Sequence, residues 1–96
     1  MGGRIEGLAR AFAALGSPER LQIVGLLLDD EQPNCGDIAC RLGLSAPSVS
    51  YHLRALESAG LIRRVRRGQR RCVLLTPRLK ELVRPEMLRP LKEGGS

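Results

Sequence analysis

Aromatic side chains are nearly absent: Phe12 and Tyr51 are the only two in 96 residues, and there is no tryptophan. Modules that splay out single-stranded bases stack them on several exposed rings, so that mode of nucleic-acid recognition is disfavoured. Histidine is equally scarce. With His52 alone, no glycine-rich phosphate loop and no serine or cysteine set in a general-base motif, the chain lacks a catalytic constellation and is expected not to be an enzyme. The longest apolar run, Leu26 to Leu28 with its neighbours, falls far short of the roughly 20 residues of a membrane span. Three cysteines are an odd number, and no secretory leader precedes them. They fit a reducing compartment better than a disulfide scaffold, so the expected location is the cytoplasm.

What remains is a globular composition with one bias. Hydrophobic residues at 43% and charged residues at 27% exclude an intrinsically disordered chain. Residues 1–96 read as one domain, whose core is marginal because so short a chain buries only about 60 to 65% of its unfolded surface. Pairing with a second copy is therefore expected. The bias is charge: 16 Lys and Arg against 10 Asp and Glu leave a net +6, which points to a polyanionic partner and, given the missing rings, to double-stranded nucleic acid.

Along the chain, residues 1–4 and 93–96 read as disordered tails. Ile5, Leu8, Ala11, Phe12 and Leu15 repeat at helical spacing until Gly16. Ser17-Pro18-Glu19 then gives an N-cap, a proline at the first helical position and an acid in the first turn. The second helix carries Leu21, Val24 and Leu28 on one face, broadened by Ile23 and Leu27, and is expected to be the most buried element. Asp29 to Pro33 is an acidic loop. Asn34 followed by Asp37 opens a third helix of about two turns with Ile38, Ala39 and Leu42.

Gly43 can close that helix in the left-handed region, and Ser45 can cap the next one. Helix, tight turn, helix is the result. At about 100° per residue, Val49, Leu53 and Leu56 fall within about 60° of one another as a buried stripe. Pro47, Tyr51, Arg54 and Ser58 lie opposite, flanked by Ser50. A helix clamped from behind that presents hydroxyls, one ring and an arginine has what reading a major groove requires. His52 falls beside the core stripe and is expected to be half-buried against a polar partner. After Gly60 and Leu61 the period changes, so Ile62 to Arg67 and Gln69 to Leu75 read as two strands turning at Gly68. Arg63, Arg64, Arg66, Arg67, Arg70 and Arg71 crowd this hairpin. Like charges packed so tightly repel unless an anion meets them, which favours a phosphate-gripping wing over a merely solvated loop. Thr76-Pro77 starts a last helix with Leu79, Leu82 and Val83, interrupted near Pro85, after which Met87, Leu88 and Leu91 extend an apolar surface.

Taken together, Ala14 to Val24, Asp37 to Ser45, Val49 to Leu56, Ala59 to Ile62 and Arg66 to Gln69 resemble the ArsR/SmtB family of repressors, which are winged helix-turn-helix dimers. The resemblance implies a mainly α fold with a two-stranded wing, in the order α-α-α-α-β-β-α, dimerised through its first and last helices. It implies that Pro47, Ser48, Ser50 and Tyr51 face the major groove with Arg54 beside them, and that Arg66, Arg67, Gln69 and Arg70 of the wing meet phosphates. The expected activity is regulation, chiefly repression, at operator DNA. A winged-helix module that docks protein or RNA is the alternative.

Family members respond to metals or thiol chemistry, yet both family ligand patterns fit poorly. Asn34-Cys35-Gly36-Asp37 offers one sulfur where a Cys-x-Cys pair is expected, and no histidine follows Pro77. The metal site is therefore unknown. Cys35, Cys40 and Cys72 are the candidate thiol sensors. On one helix Cys35 and Cys40 would diverge by about 140° with about 7.5 Å of rise, too far apart for a direct disulfide. Cys35, at a helix N-terminus among arginines, has the surroundings that favour a thiolate. A thiophilic metal or metalloid, or an oxidant, is the class of effector such thiols would meet, and packing as small hydrophobes is the alternative for all three.

Overall fold

The computed structural model describes residues 2–29 and 32–84. Over these the element order is α1 (Gly2–Leu15), α2 (Pro18–Leu27), α3 (Cys35–Leu42), α4 (Ala46–Ser58), β1 (Ile62–Arg67), β2 (Arg70–Leu75) and α5 (Pro77–Leu82). This is the winged helix architecture that the sequence predicts. The acidic pair Asp30-Glu31, the apolar residues Met87, Leu88 and Leu91, and the tail 93–96 lie outside the described residues.

Local chemistry sets the element ends. Ser17, Asn34, Ser45 and Thr76 each sit in extended backbone and accept a hydrogen bond from the amide three residues on, satisfying one of the orphan donors of a helix start. At Asn34 the bond is reciprocated: Asp37 N donates to Asn34 Oδ1 at 2.7 Å, and Asn34 N donates to Asp37 Oδ2 at 3.2 Å, a complete capping box. Gly43, at φ +68°, ends α3 in the left-handed region that a side chain would strain. The turn into α4 depends on it. Leu61 folds back on the end of α4, donating its amide to Leu56 O at 3.0 Å.

The core gathers Ile23, Val24 and Leu27 of α2, Ile38 of α3, Val49, Leu53 and Leu56 of α4, Ile62 and Val73 of the hairpin and Leu79 of α5. Val49, Leu53 and Leu56 are all fully buried, as the helical stripe requires. Two expectations need correction. In α2 the buried set is Ile23, Val24, Gly25 and Leu27, while Leu21 and the C-cap Leu28 are only half-buried, because apolar residues surround this helix and neighbours on several sides choose among them. In α1 the apolar repeat splits: Ala11 and Leu15 enter the core, but Ile5 and Phe12 stay 72% and 57% exposed. Residues 2–4, expected as a tail, form the first turn of α1.

The hairpin is antiparallel, pairing Ile62 with Leu75 through Arg67 with Arg70. Its turn is Gly68-Gln69, with Gly68 at φ +63°, so Gln69 belongs to the turn and β2 begins one residue later than expected. Three hydrogen bonds anchor the base: Val73 N to Pro33 O at 2.9 Å, Thr76 N to Leu61 O at 3.0 Å and Thr76 Oγ1 to Gly60 O at 2.7 Å.

Replacing Leu53 with Ala should cost about 2 to 5 kcal/mol in urea unfolding, since it empties a fully buried site. Tyr51→Ala, two residues earlier on the same helix, should stay within roughly 0.5 kcal/mol. Equal costs would contradict the facing of α4.

Candidate nucleic-acid interface

Two surfaces carry the residues expected to meet nucleic acid, and the core holds them side by side. On α4, Pro47, Tyr51 and Arg54 are exposed, with Ser48 and Ser50 half-buried at the flank. Tyr51 and Arg54 line a shallow hollow of about 280 Å³ with Ala55 and Ser58. On the hairpin, Arg66, Arg67, Gln69, Arg70 and Arg71 are all exposed. Between the two runs a cleft of about 460 Å³, to which α4 contributes Ser50, α3 contributes Asn34 and Cys35, and the wing contributes Arg64, Gln69, Arg70 and Arg71. Ser50 thus shares one concavity with Gln69 and Arg70.

The register sharpens the electrostatic argument. Arg66 lies directly across from Arg71, and Arg67 from Arg70. Like charges in directly opposed positions destabilise a strand pair. Two acids relieve part of this by pinning arginines to the helices. Arg70 Nη2 donates to Asp37 Oδ2 at 2.7 Å, and Arg64 Nε lies 3.5 Å from Glu57 Oε1. The second pair is an incomplete one, for Arg64 Nε is shut off from solvent without a hydrogen-bond partner. Among the described residues no carboxylate pairs with Arg66, Arg67 or Arg71. These three keep their charge for an external anion, whereas Arg70 must share its guanidinium with α3.

Sequence reasoning missed both ion pairs, and it missed Arg20. Asp37 and Arg70 are 33 residues apart, a separation at which no periodicity can report a contact. The capping-box spacing marks Asp37 as a cap only. His52 does behave as expected, half-buried with a polar partner: Arg20 Nε donates to its Nδ1 at 3.1 Å. The carboxyl of Asp37 is held below its ordinary value, first by the Asn34 backbone N–H and then by the charge of Arg70. That of Glu19 is lowered likewise, by its backbone hydrogen bond and the Ser17 hydroxyl.

The three thiols differ in setting: Cys35 is half-buried with Sγ 4.0 Å from Ala46 O, Cys40 is exposed and Cys72 is buried on β2. Among the described residues no three His, Cys, Asp or Glu side chains converge to hold a metal ion. No described helix is long and apolar enough to cross a membrane.

This arrangement has known counterparts. Residues 17–64, half of the chain, match the family model described as bacterial regulatory protein, arsR family. The chain belongs to the ArsR family. This ArsR-family chain is 40% identical to the transcriptional repressor SdpR of Bacillus subtilis over 58 residues, which span 60% of this chain and 63% of SdpR. HlyU of Vibrio cholerae has the same fold, with a TM-score of 0.77 at 28% identity over 95% of this chain and 97% of that one. A homodimeric winged helix-turn-helix DNA-binding domain from Mycobacterium bovis, a possible ArsR-family regulator, gives a TM-score of 0.79 at 25% identity over 98% and 85% of the two chains. Family and fold are those of transcriptional regulators.

The lowered carboxyl of Asp37 has a definite pH signature. Its contribution is fully present above the ordinary carboxylate range, about pH 4, and is lost as pH falls through the depressed folded value. Melting curves of Asp37→Asn and wild type should therefore differ at pH 7 and converge in acid. Asn34→Ala, which removes the partner cap, should cost about 1 kcal/mol.

Proposed function

We propose that the chain is a homodimeric regulator, chiefly a repressor, that reads an inverted-repeat operator in double-stranded DNA in the cytoplasm. The observation that carries this reading is the exposed α4 face of Pro47, Tyr51 and Arg54 set beside a wing whose Arg66, Arg67 and Arg71 pair with no acid among the described residues. The α4 face offers groups suited to base edges, and the wing offers charge suited to phosphates. Arg70, tied to Asp37, serves the wing's position as well as its charge.

A dimer supplies what one chain leaves unfinished. Ile5 and Phe12 expose apolar surface along α1, and covering it with the same face of a second copy is the symmetric solution. The two recognition helices would then enter successive major grooves about 34 Å apart. The Mycobacterium bovis domain is homodimeric and SdpR is a repressor by name, which supports both parts of the reading. Release by a thiol-reactive or thiophilic signal would act through Cys35, which lines the cleft between the helices and the wing. Cys72, buried on β2, would pass the change to the hairpin, and Cys40 is exposed on α3. If a triple Cys→Ser variant kept every response to oxidant and thiophilic metals, that part of the reading would fail.

Selection from a randomised duplex pool, followed by anisotropy titrations at several salt concentrations, tests the DNA reading. Wild type should enrich a two-fold symmetric sequence and bind it with a steep salt dependence. Arg66→Ala with Arg67→Ala should weaken all duplexes alike and flatten the salt slope by about 0.9 for each phosphate no longer neutralised. Ser50→Ala and Tyr51→Ala should change which bases are preferred. A salt-insensitive protein that enriches no duplex would instead be an interaction module.

A further inference from the structure

Arg20 belongs to α2, outside the helix-turn-helix and the wing, yet its side chain is directed at α4 and α1. Its Nε donates to His52 Nδ1 at 3.1 Å, its Nη1 donates to Ala14 O at 3.3 Å, and its guanidinium carbon stands 5.7 Å from the centroid of the Tyr51 ring. The Ala14 carbonyl is in the last turn of α1, where helix carbonyls lack partners of their own. One planar fork thus links the end of α1, the side of α4 and the ring on the face of α4. By donating to Nδ1, Arg20 orients the His52 ring. That fixed imidazole meets Tyr51 edge-on, with centroids 5.3 Å apart and planes at 65°.

Tyr51 needs such support. At 62% exposed, a tyrosine without neighbours exchanges rotamers on the picosecond to nanosecond scale, and ordering it on contact costs roughly two- to tenfold in affinity. The imidazole and the guanidinium both pack against the ring. The rest of the side chain stays exposed.

We infer that Arg20 is a positioning residue for sequence preference: by fixing His52 it presets the Tyr51 ring, and so influences which bases are read without touching one. This rests on the reading above in which α4 faces the major groove. A residue with this function stands apart from every groove contact. It also ties the setting of the ring to the end of α1, the helix proposed for dimerisation.

The test uses the duplex that wild type enriches from a randomised pool, together with its single-base variants and an unrelated duplex. Arg20→Lys keeps the charge and loses the planar fork. It should cut discrimination between the selected duplex and its variants by about tenfold at the base Tyr51 reads, leaving affinity for the unrelated duplex, salt slope and melting temperature as in wild type. In a Tyr51→Ala background the same change should add nothing. His52→Ala, and His52→Gln, which keeps an acceptor for Arg20 but removes the imidazole that meets Tyr51, should both lose the preference; the histidine variants carry the test if Arg20→Lys melts early. An equal loss on every duplex with a flatter salt slope would make Arg20 a phosphate contact and overturn the inference. Losses that simply add to those of Tyr51→Ala would overturn it too. If wild type enriches a sequence and Arg20→Lys and His52→Ala read it unchanged, the inference alone falls; if wild type enriches none, the DNA reading falls and takes the inference with it.

Discussion

The outward face of α4 is set by three side chains on its inner face. Val49, Leu53 and Leu56 are fully buried, and a helix with one face sealed into a core has no freedom to rotate about its own axis. That single constraint decides that Pro47, Tyr51 and Arg54 point outward. The small residues and caps around it have the same consequence. Gly43 and Ser45 begin α4 at a fixed residue, and Leu61 returning to Leu56 ends it at another. A slip of one residue would turn each outward group by about 100°, so the interface is only as exact as the packing beneath it.

Charge is organised on a second level, between surfaces already in place. The hairpin concentrates arginines against each other across its ladder, an arrangement that disfavours its own folding. Hydrogen bonds at the base and two acid–arginine pairs offset that repulsion. One pair reaches α3 and the other α4, so the wing is referenced to both helices of the helix-turn-helix. Among the described residues no acid shares the charge of Arg66, Arg67 or Arg71. A fully neutralised wing would fold more readily and attract no polyanion.

Much of this was legible in the residue order because it is local chemistry. Asn34 with Asp37, Ser45 before Pro47, Gly43, Gly68 and the change of period after Leu61 each act within a few residues, and each element they mark is present. The stripe of α4 was equally legible, being a matter of helical period. Contacts that join distant segments were not. Arg20 reads as an ordinary third residue of a helix, and only the packing of α2 on α4 brings it to His52. Ile5 and Phe12 have the right period for burial, but α1 is longer than the core available to one chain can cover. Period tells which residues share a face and is silent about what that face meets.

The turn at Gly68-Gln69 lies beyond the last hairpin pair with a buried member, Val65 with Cys72. Further out the ladder holds only exposed arginines, one of which, Arg70, is tied back to Asp37 of α3. Evolution can therefore splice residues into this hairpin two per arm, preserving which side each chain faces, and every such step would extend its reach by about 7 Å. The reach of such a hairpin can drift in this way, with the tie from Arg70 to Asp37 as the contact to be rebuilt at each step.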